Sequence, residues 1–259
     1  MYLDLLPVEQ FQNFAVCTSR VAGFLTAIPV YFGAQTPMRL KAGLVIALSL
    51  VLFPLLQPYV VDVDFRPPAF LLLVINETLL GMMIGLIARF IFISVEFGGT
   101  IIGYQMGFAA ANIFDPQNQR QTALISQFQN VFAILIFLSL DIHHYFIRTA
   151  VHSYEVLPPG NLNFSGEAVP YLVELSTRMF ILGAQFSAPI LVILLLSGLI
   201  LGILSRTFPQ LNVFLLSFPI NIGISFAVIG LTLGLVKILL SREFDMLPDR
   251  MFSLLQYLN

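Results

Sequence analysis

The sequence predicts an all-α, polytopic membrane protein, and three observations carry that reading. Of its 259 residues 58% are hydrophobic and only 10% are charged, and the apolar residues collect into runs long enough to cross a bilayer, which needs about 20 residues. Soluble domains carry about 25% charged residues. A single core could not hide this much apolar surface from water, and the mean hydropathy of +0.91 says the same. Lipid or partner chains must cover the remainder.

Charge and cysteine content close off several function classes. Lys and Arg number 12 against 14 Asp and Glu, a net charge of −2. No basic stripe is present to neutralise phosphates, so nucleic acid is not an expected partner. The one cysteine, Cys17, leaves no intrachain disulfide and no Cys-rich metal site. Before the first apolar run the charges are Asp4 and Glu9, whereas a cleavable signal needs a positive start. That first run is therefore expected to stay in the mature protein. Trp is absent, and Tyr31, Tyr59, Tyr145 and Tyr171 lie near the ends of apolar runs, where an interfacial belt would use them.

The candidate spans, in order, are about 11–32, 40–61, 69–94, 98–113, 122–147, 180–205 and 211–240. Gly33 to Pro37 separates the first two, and Asp62 to Pro68 and Leu157-Pro158-Pro159-Gly160 mark later breaks. As one helix, 69–113 would be roughly 67 Å long at 1.5 Å per residue, more than twice the ~30 Å hydrocarbon core. Gly98-Gly99 is its expected hinge. Loop 33–41 holds Arg39 and Lys41 without an acid, which favours the cytoplasmic side. The tail mixes Lys237, Arg242 and Arg250 with Glu243, Asp245 and Asp249 and leaves the orientation open. The polar stretch 148–178 reads as a folded loop or short amphipathic helix, so residues 1–259 form a single domain.

Glu77, Gly81, Gly85 and Arg89 recur every four residues on one helix face. Small residues at that spacing let a second backbone approach closely. The theme returns at Gly99-x-x-x-Gly103-x-x-x-Gly107, Gly198-x-x-x-Gly202 and Gly230-x-x-x-Gly234. Packing within the chain explains any one stripe, and four of them point to contact with other subunits. Arg20, Glu77, Arg89, Glu96 and Arg206 lie within or beside apolar runs, where charge is costly and must face protein or water. They read as a proton relay or as structural ion pairs between packed helices. Structural pairs are preferred, because no two acids stand at relay spacing.

Asp141, His143, His144 and His152 invite a metal reading. Adjacent histidines on a helix point about 100° apart, and there is no H-E-x-x-H, so polar residues at a membrane boundary are the preferred reading. No G-x-S-x-G nucleophile motif is present either. No metal, cofactor or catalytic residue is expected. The stretch from Gly103 to Arg120 runs from small apolar residues into a Pro-stopped polar loop. Such backbone at membrane depth is tolerated where it lines a cavity, and an apolar constriction can gate by dewetting. A gate element and a surface loop are both open.

Taken together, certain blocks carry a resemblance. They are Arg20-Val21-Ala22-Gly23-Phe24 with Ala27-Ile28-Pro29-Val30, Ile102-Gly103-Tyr104-Gln105-Met106-Gly107 leading to Phe114-Asp115-Pro116, and Pro158-Pro159-Gly160. Ala188-Pro189, Arg206-Thr207-Phe208-Pro209-Gln210 running to Phe214, and Phe218-Pro219 follow. In this order they resemble the FliR/SctT family of export-gate subunits found in flagellar and virulence type III secretion. Departures exist: Gly98-Gly99-Thr100 stands where the family has Ala-Gly-Glu, with Glu96 the nearest acid. Ser217 and Ile142 replace family glycines.

The resemblance implies a non-enzymatic pore subunit of the flagellar export gate, in the inner membrane at the basal body. It would assemble with FliP and FliQ, near FlhB and FlhA, and pass unfolded substrates, with transport energy supplied by other components. It also implies bent helical hairpins, FliP-like over about 1–150 and FliQ-like over about 180–259. The family's plug would fall at 107–121, with Gly107, Phe108, Phe114, Asp115 and Pro116 closing the pore. The virulence-type subunit, and a small-solute secondary transporter, are the alternatives.

Overall fold

A computed structural model describes residues 8–29, 36–60, 66–107, 123–161, 166–210 and 212–258. Among these residues all regular structure is helical. The helices are α1 (Val8–Ala27), α2 (Met38–Leu56, extended by a 3-10 turn Gln57–Tyr59), α3 (Pro67–Gln105) and α4 (Ala123–Ser139). They continue with α5 (Ile142–Val156), α6 (Ala168–Thr207), α7 (Val213–Asp245) and α8 (Leu247–Tyr257).

Local chemistry sets the boundaries. Pro37 precedes α2 in extended backbone, and α3 opens on Pro67, where a missing N–H costs nothing. Pro209 ends α6, since the residue before a proline is pushed out of helical geometry. Asn212 then caps α7 by accepting the Leu215 N–H at 3.3 Å. Pro158-Pro159-Gly160 forms a turn closed by the Asn161 N–H on the Pro158 carbonyl, with Gly160 at φ +94°. Pro then Gly at positive φ is the pattern of a type II turn.

Among the described residues four stretches are long and apolar enough to cross a membrane: Met38–Tyr59, Pro68–Gln105, Ala168–Thr207 and Leu215–Tyr257. A fifth would be the broken pair Leu124–Ser139 and Ile142–Val156, bent by 70°. Two expectations are corrected here. The runs 69–94 and 98–113 are not two spans, because α3 passes through Gly98-Gly99 without interruption. Those glycines are there for close packing: a Cβ on Gly98 would lie 2.8 Å from the Gly183 carbonyl of α6, and one on Gly99 2.5 Å from Ser126 Cα of α4. The run 122–147 is instead broken at Asp141, which adopts left-handed backbone at φ 55°. Lastly, of the two readings of the polar stretch 148–178, helix holds over its described ends, which are the end of α5 and the first turns of α6.

The chain divides into two compact units, Met1–Phe90 with Asp141–Leu175 and Phe244–Asn259, and Ile91–Leu140 with Ser176–Glu243. Helices α3, α6 and α7 each contribute residues to both units. In the first unit Cys17, Val21 and Leu25 of α1 pack with Val45, Leu52 and Leu56 of α2 and Tyr154 of α5. In the second, Ile102 and Met106 of α3 pack with Ile125 of α4, Ile190 and Leu194 of α6 and Val228 and Ile229 of α7. Lipid tails are as apolar as leucine, so neither cluster is driven together as it would be in water. Close backbone approach and buried polar links must supply the specificity.

Candidate functional site

The first unit is tied by one buried arginine. Arg20 Nε donates to Glu77 Oε2 of α3 at 2.5 Å, with the two side chains 2% and 1% exposed. Its Nη1 donates to the Ser153 carbonyl at 2.8 Å and its Nη2 to the Leu157 carbonyl at 2.9 Å. These carbonyls belong to the last turn of α5, whose C-terminus is the negative end of its dipole. The guanidinium therefore pairs a carboxylate and caps a helix at once. Its carbon lies 3.9 Å from the Tyr154 ring centre, and the Tyr154 hydroxyl donates back to the Cys17 carbonyl at 2.9 Å. Such contacts satisfy a charge that would be prohibitively costly alone in a dry interior.

Glycines bring α1 and α3 close enough for that pair to form. A Cβ on Gly81 would run into the Arg20 carbonyl, and one on Gly85 would sit 2.6 Å from Ala27 Cβ and the Phe24 carbonyl. A Cβ on Gly23 would collide with the Thr78 carbonyl. The 81/85 stripe is thus used inside the chain rather than against another subunit. Three stretches far apart in the chain meet here: Arg20 to Phe24, Glu77 to Gly85, and the end of α5 at Ser153 and Leu157. The arrangement holds helices together. It offers no chain of acids for proton transfer.

The second unit gathers the remaining blocks. Met106 is fully buried among Ile102, Ile190 and Val228. Gly107 follows with φ +94°, and a Cβ there would come within 2.8 Å of the Phe218 ring. Only glycine fits that position without strain. The Gln105-Met106-Gly107 and Phe218-Pro219 blocks, more than a hundred residues apart, are therefore in contact. Pro189 sits within α6 beside the buried Ile190, and Pro219 within α7. Further along those helices, Ser197 donates to Asn221 Oδ1 at 2.9 Å, a polar link between apolar surfaces. Of the expected plug, Phe108, Phe114, Asp115 and Pro116 lie outside the described residues. Gly107 is its last described residue.

Other expected residues stand apart. Arg89 and Glu96 are exposed on α3 and form no ion pair among the described residues. Arg206 is exposed in the last turn of α6, where a cation favours the helix dipole. None of the three is a buried charge within this chain. Gly103 is buried, Gln105 is exposed, and Pro209 and Gln210 form an exposed turn. Phe214 lies in the first turn of α7. The ion pair of Arg178 with Glu243, held by bonds of 2.9 and 3.3 Å, was not foreseen from the sequence. Its partners lie 65 residues apart and on no common motif, so nothing local signalled it.

Donor atoms of Asp141, His143 and His144 lie within 4.8 Å of one another. The bend at Asp141 brings the carboxylate back over the first turn of α5, which helix geometry alone does not suggest. The two imidazole rings lie 4.1 Å apart between centres and are tilted by 37°, and the cluster sits at the partly exposed start of α5.

With the geometry in place, similarity to known proteins gives the family. The bacterial export proteins, family 1, match residues 11–247. The chain is 31% identical over 252 residues to the flagellar biosynthetic protein FliR of Bacillus subtilis (strain 168), covering 96% of each chain. The protein of the same name from Pectobacterium carotovorum subsp. carotovorum is 31% identical over 234 residues, 89% of each. That from Escherichia coli (strain K12) is 27% identical over 234 residues, again 89% of each. An all-helical membrane fold, the convergence of its motif blocks and a match across nearly its whole length agree: the chain belongs to the bacterial export proteins, family 1.

Proposed function

We propose that this protein is a non-enzymatic subunit of the flagellar export apparatus in the bacterial inner membrane. In this reading it joins FliP and FliQ in a closed channel for unfolded flagellar proteins, near FlhB and FlhA. One observation carries the proposal. Only 22 to 39% of the most apolar window in each of the four candidate spans is buried within the chain. On α6 and α7 the glycine pairs 198/202 and 230/234 have, among the described residues, nothing within 4 Å of where a Cβ would stand. Large apolar side chains such as Leu199, Ile203 and Leu231 stand exposed beside them. Lipid can cover apolar side chains, but glycine notches at four-residue spacing suit another backbone. The relatives' shared description as flagellar biosynthetic proteins supports the flagellar rather than the virulence setting.

Within the channel, residues 107–121 act as the plug, with Phe108 and Phe114 as its apolar closure. The fixed backbone at Gly107 against Phe218 sets where that segment leaves α3. The decisive experiment is co-purification: the chain should come out of detergent in one stable particle with FliP-like and FliQ-like proteins. Gly198→Trp and Gly230→Trp should abolish that particle while membrane insertion is unchanged. Phe108→Ala with Phe114→Ala should leave the particle whole and make cells leak small ions. A wild-type chain that purifies as a monomer, alone competent for its task, would refute the assembly. Unchanged ion leakage in the assembled double variant would refute the plug.

A further inference from the structure

The second unit contains an open cleft of about 490 Å³ between α6 and α7, lined by Arg178, Gln185, Arg242 and Glu243 with apolar walls from Ile181 and Leu239. We propose that this cleft takes the phosphate headgroup of an anionic phospholipid. Its depth in the membrane is the first argument. Within their spans, the long uncharged run of α6 begins at Met179, directly after Arg178, and the apolar run of α7, broken once by Lys237, ends at Leu240, two residues before Arg242. Both arginines thus stand where their helices leave the hydrocarbon, at the level of lipid headgroups.

The second argument is charge. Glu243 is 5% exposed and holds Arg178 in place through two hydrogen bonds, so that pair is close to neutral. Arg242 is exposed and makes no ion pair among the described residues, which leaves the cleft with one net positive charge. The Gln185 amide adds a neutral donor on the same lining. A phosphate diester matches this set, being a single negative charge with oxygens that accept from guanidinium and amide. The third argument is what lies alongside. Ile181 and Ile238, both more than half exposed, continue the apolar wall along the helices, where acyl chains would lie. A free anion would leave that surface uncovered.

The test uses the purified protein with its co-purifying chains, and native mass spectrometry in detergent after addition of phosphatidylglycerol or phosphatidylcholine. Wild type should retain phosphatidylglycerol in preference. Arg242→Gln, an exposed change that leaves the Arg178–Glu243 pair intact, should reduce that preference about fivefold, the value of one basic residue near an anionic headgroup. Arg242→Lys should keep most of it. Equal retention of the two lipids by wild type, or an unchanged preference in Arg242→Gln at equal thermal stability, overturns the proposal. Displacement of phosphatidylglycerol by excess inorganic phosphate would make this an anion site and not a lipid site. Retention of neither lipid would mean that a partner chain fills the cleft. Both results also overturn it. The inference rests on the membrane fold, so it can fail while the export assembly stands.

Discussion

Removing one partner of the Arg20–Glu77 pair should be among the most destabilising single changes in the chain. Glu77→Leu leaves a guanidinium in a site where its host residue is 2% exposed. Breaking a buried pair in this way costs about 3–5 kcal/mol, or two to three and a half powers of ten in the folded fraction at about 1.4 kcal/mol per tenfold. Arg20→Met should reach the upper part of that range, because it also strips the Ser153 and Leu157 carbonyls of their donors. The double variant separates charge from packing. It leaves no orphan charge, only the two carbonyls at about 1–3 kcal/mol each, so it should be more stable than Arg20→Met alone. Thermal unfolding in detergent, followed by circular dichroism, reads all three variants, and membrane abundance gives a second measure. A double variant whose loss equals the sum of the single losses would refute the reasoning, as would a loss below about 1 kcal/mol in Glu77→Leu.

Three further outcomes follow from backbone geometry. Gly81→Ala should cost about 1–3 kcal/mol by forcing α1 off α3, while Gly43→Ala, with nothing within 4 Å, should be neutral or stabilising; melting temperatures decide. Gly107→Ala should cost about 1–3 kcal/mol through its positive φ. Adding Phe218→Ala should relieve the ring contact and not the backbone strain, so full recovery in that double variant would count against the strain. Asp141→Gly should be tolerated, whereas Asp141→Val should lose about 1–2 kcal/mol, because φ 55° suits Asp and Gly far better than a β-branched residue. Equal melting temperatures for those two variants would remove the argument.

How far the fold could be read depended on which force set each feature. Apolar runs located α2, α3, α6 and α7 because lipid exposure leaves its mark on every residue of a span. Helix ends escaped that signal. The first turns of α6 carry Glu174 and Arg178 and lie below any hydropathy threshold, yet they are helical. Gly98-Gly99 read as a hinge because glycine is permissive, but the same missing Cβ serves close packing, and only the neighbouring Gly183 and Ser126 distinguish the two. The break at Asp141 carries neither Pro nor Gly, so its left-handed backbone left no trace in the pattern. At the site, charges in apolar surroundings flagged Arg20 and Glu77, which the fold buries as a pair. They flagged Arg89, Glu96 and Arg206 equally, because sequence counts the polarity of neighbours and not the direction of a side chain.

That ambiguity has a physical use in the glycine stripes, which look alike in sequence and behave differently in the fold. Gly81 and Gly85 are filled by α1, and the approach they permit is what lets Arg20 reach both Glu77 and the end of α5. Gly198, Gly202, Gly230 and Gly234 are filled by nothing among the described residues. Glycine in the interior of a helix is destabilising by roughly 0.5–1 kcal/mol relative to alanine, so these four notches, with Gly223 a fifth on α7, weaken the two helices with no return among the described residues. Such a cost is offset only if something outside the chain enters those notches. Lipid tails gain little from them, since a methyl-sized groove in a lipid-facing helix is filled as well by alanine. A backbone from another helix gains the close approach that alanine would forbid, which is what the assembly proposed above would supply to the open stripes.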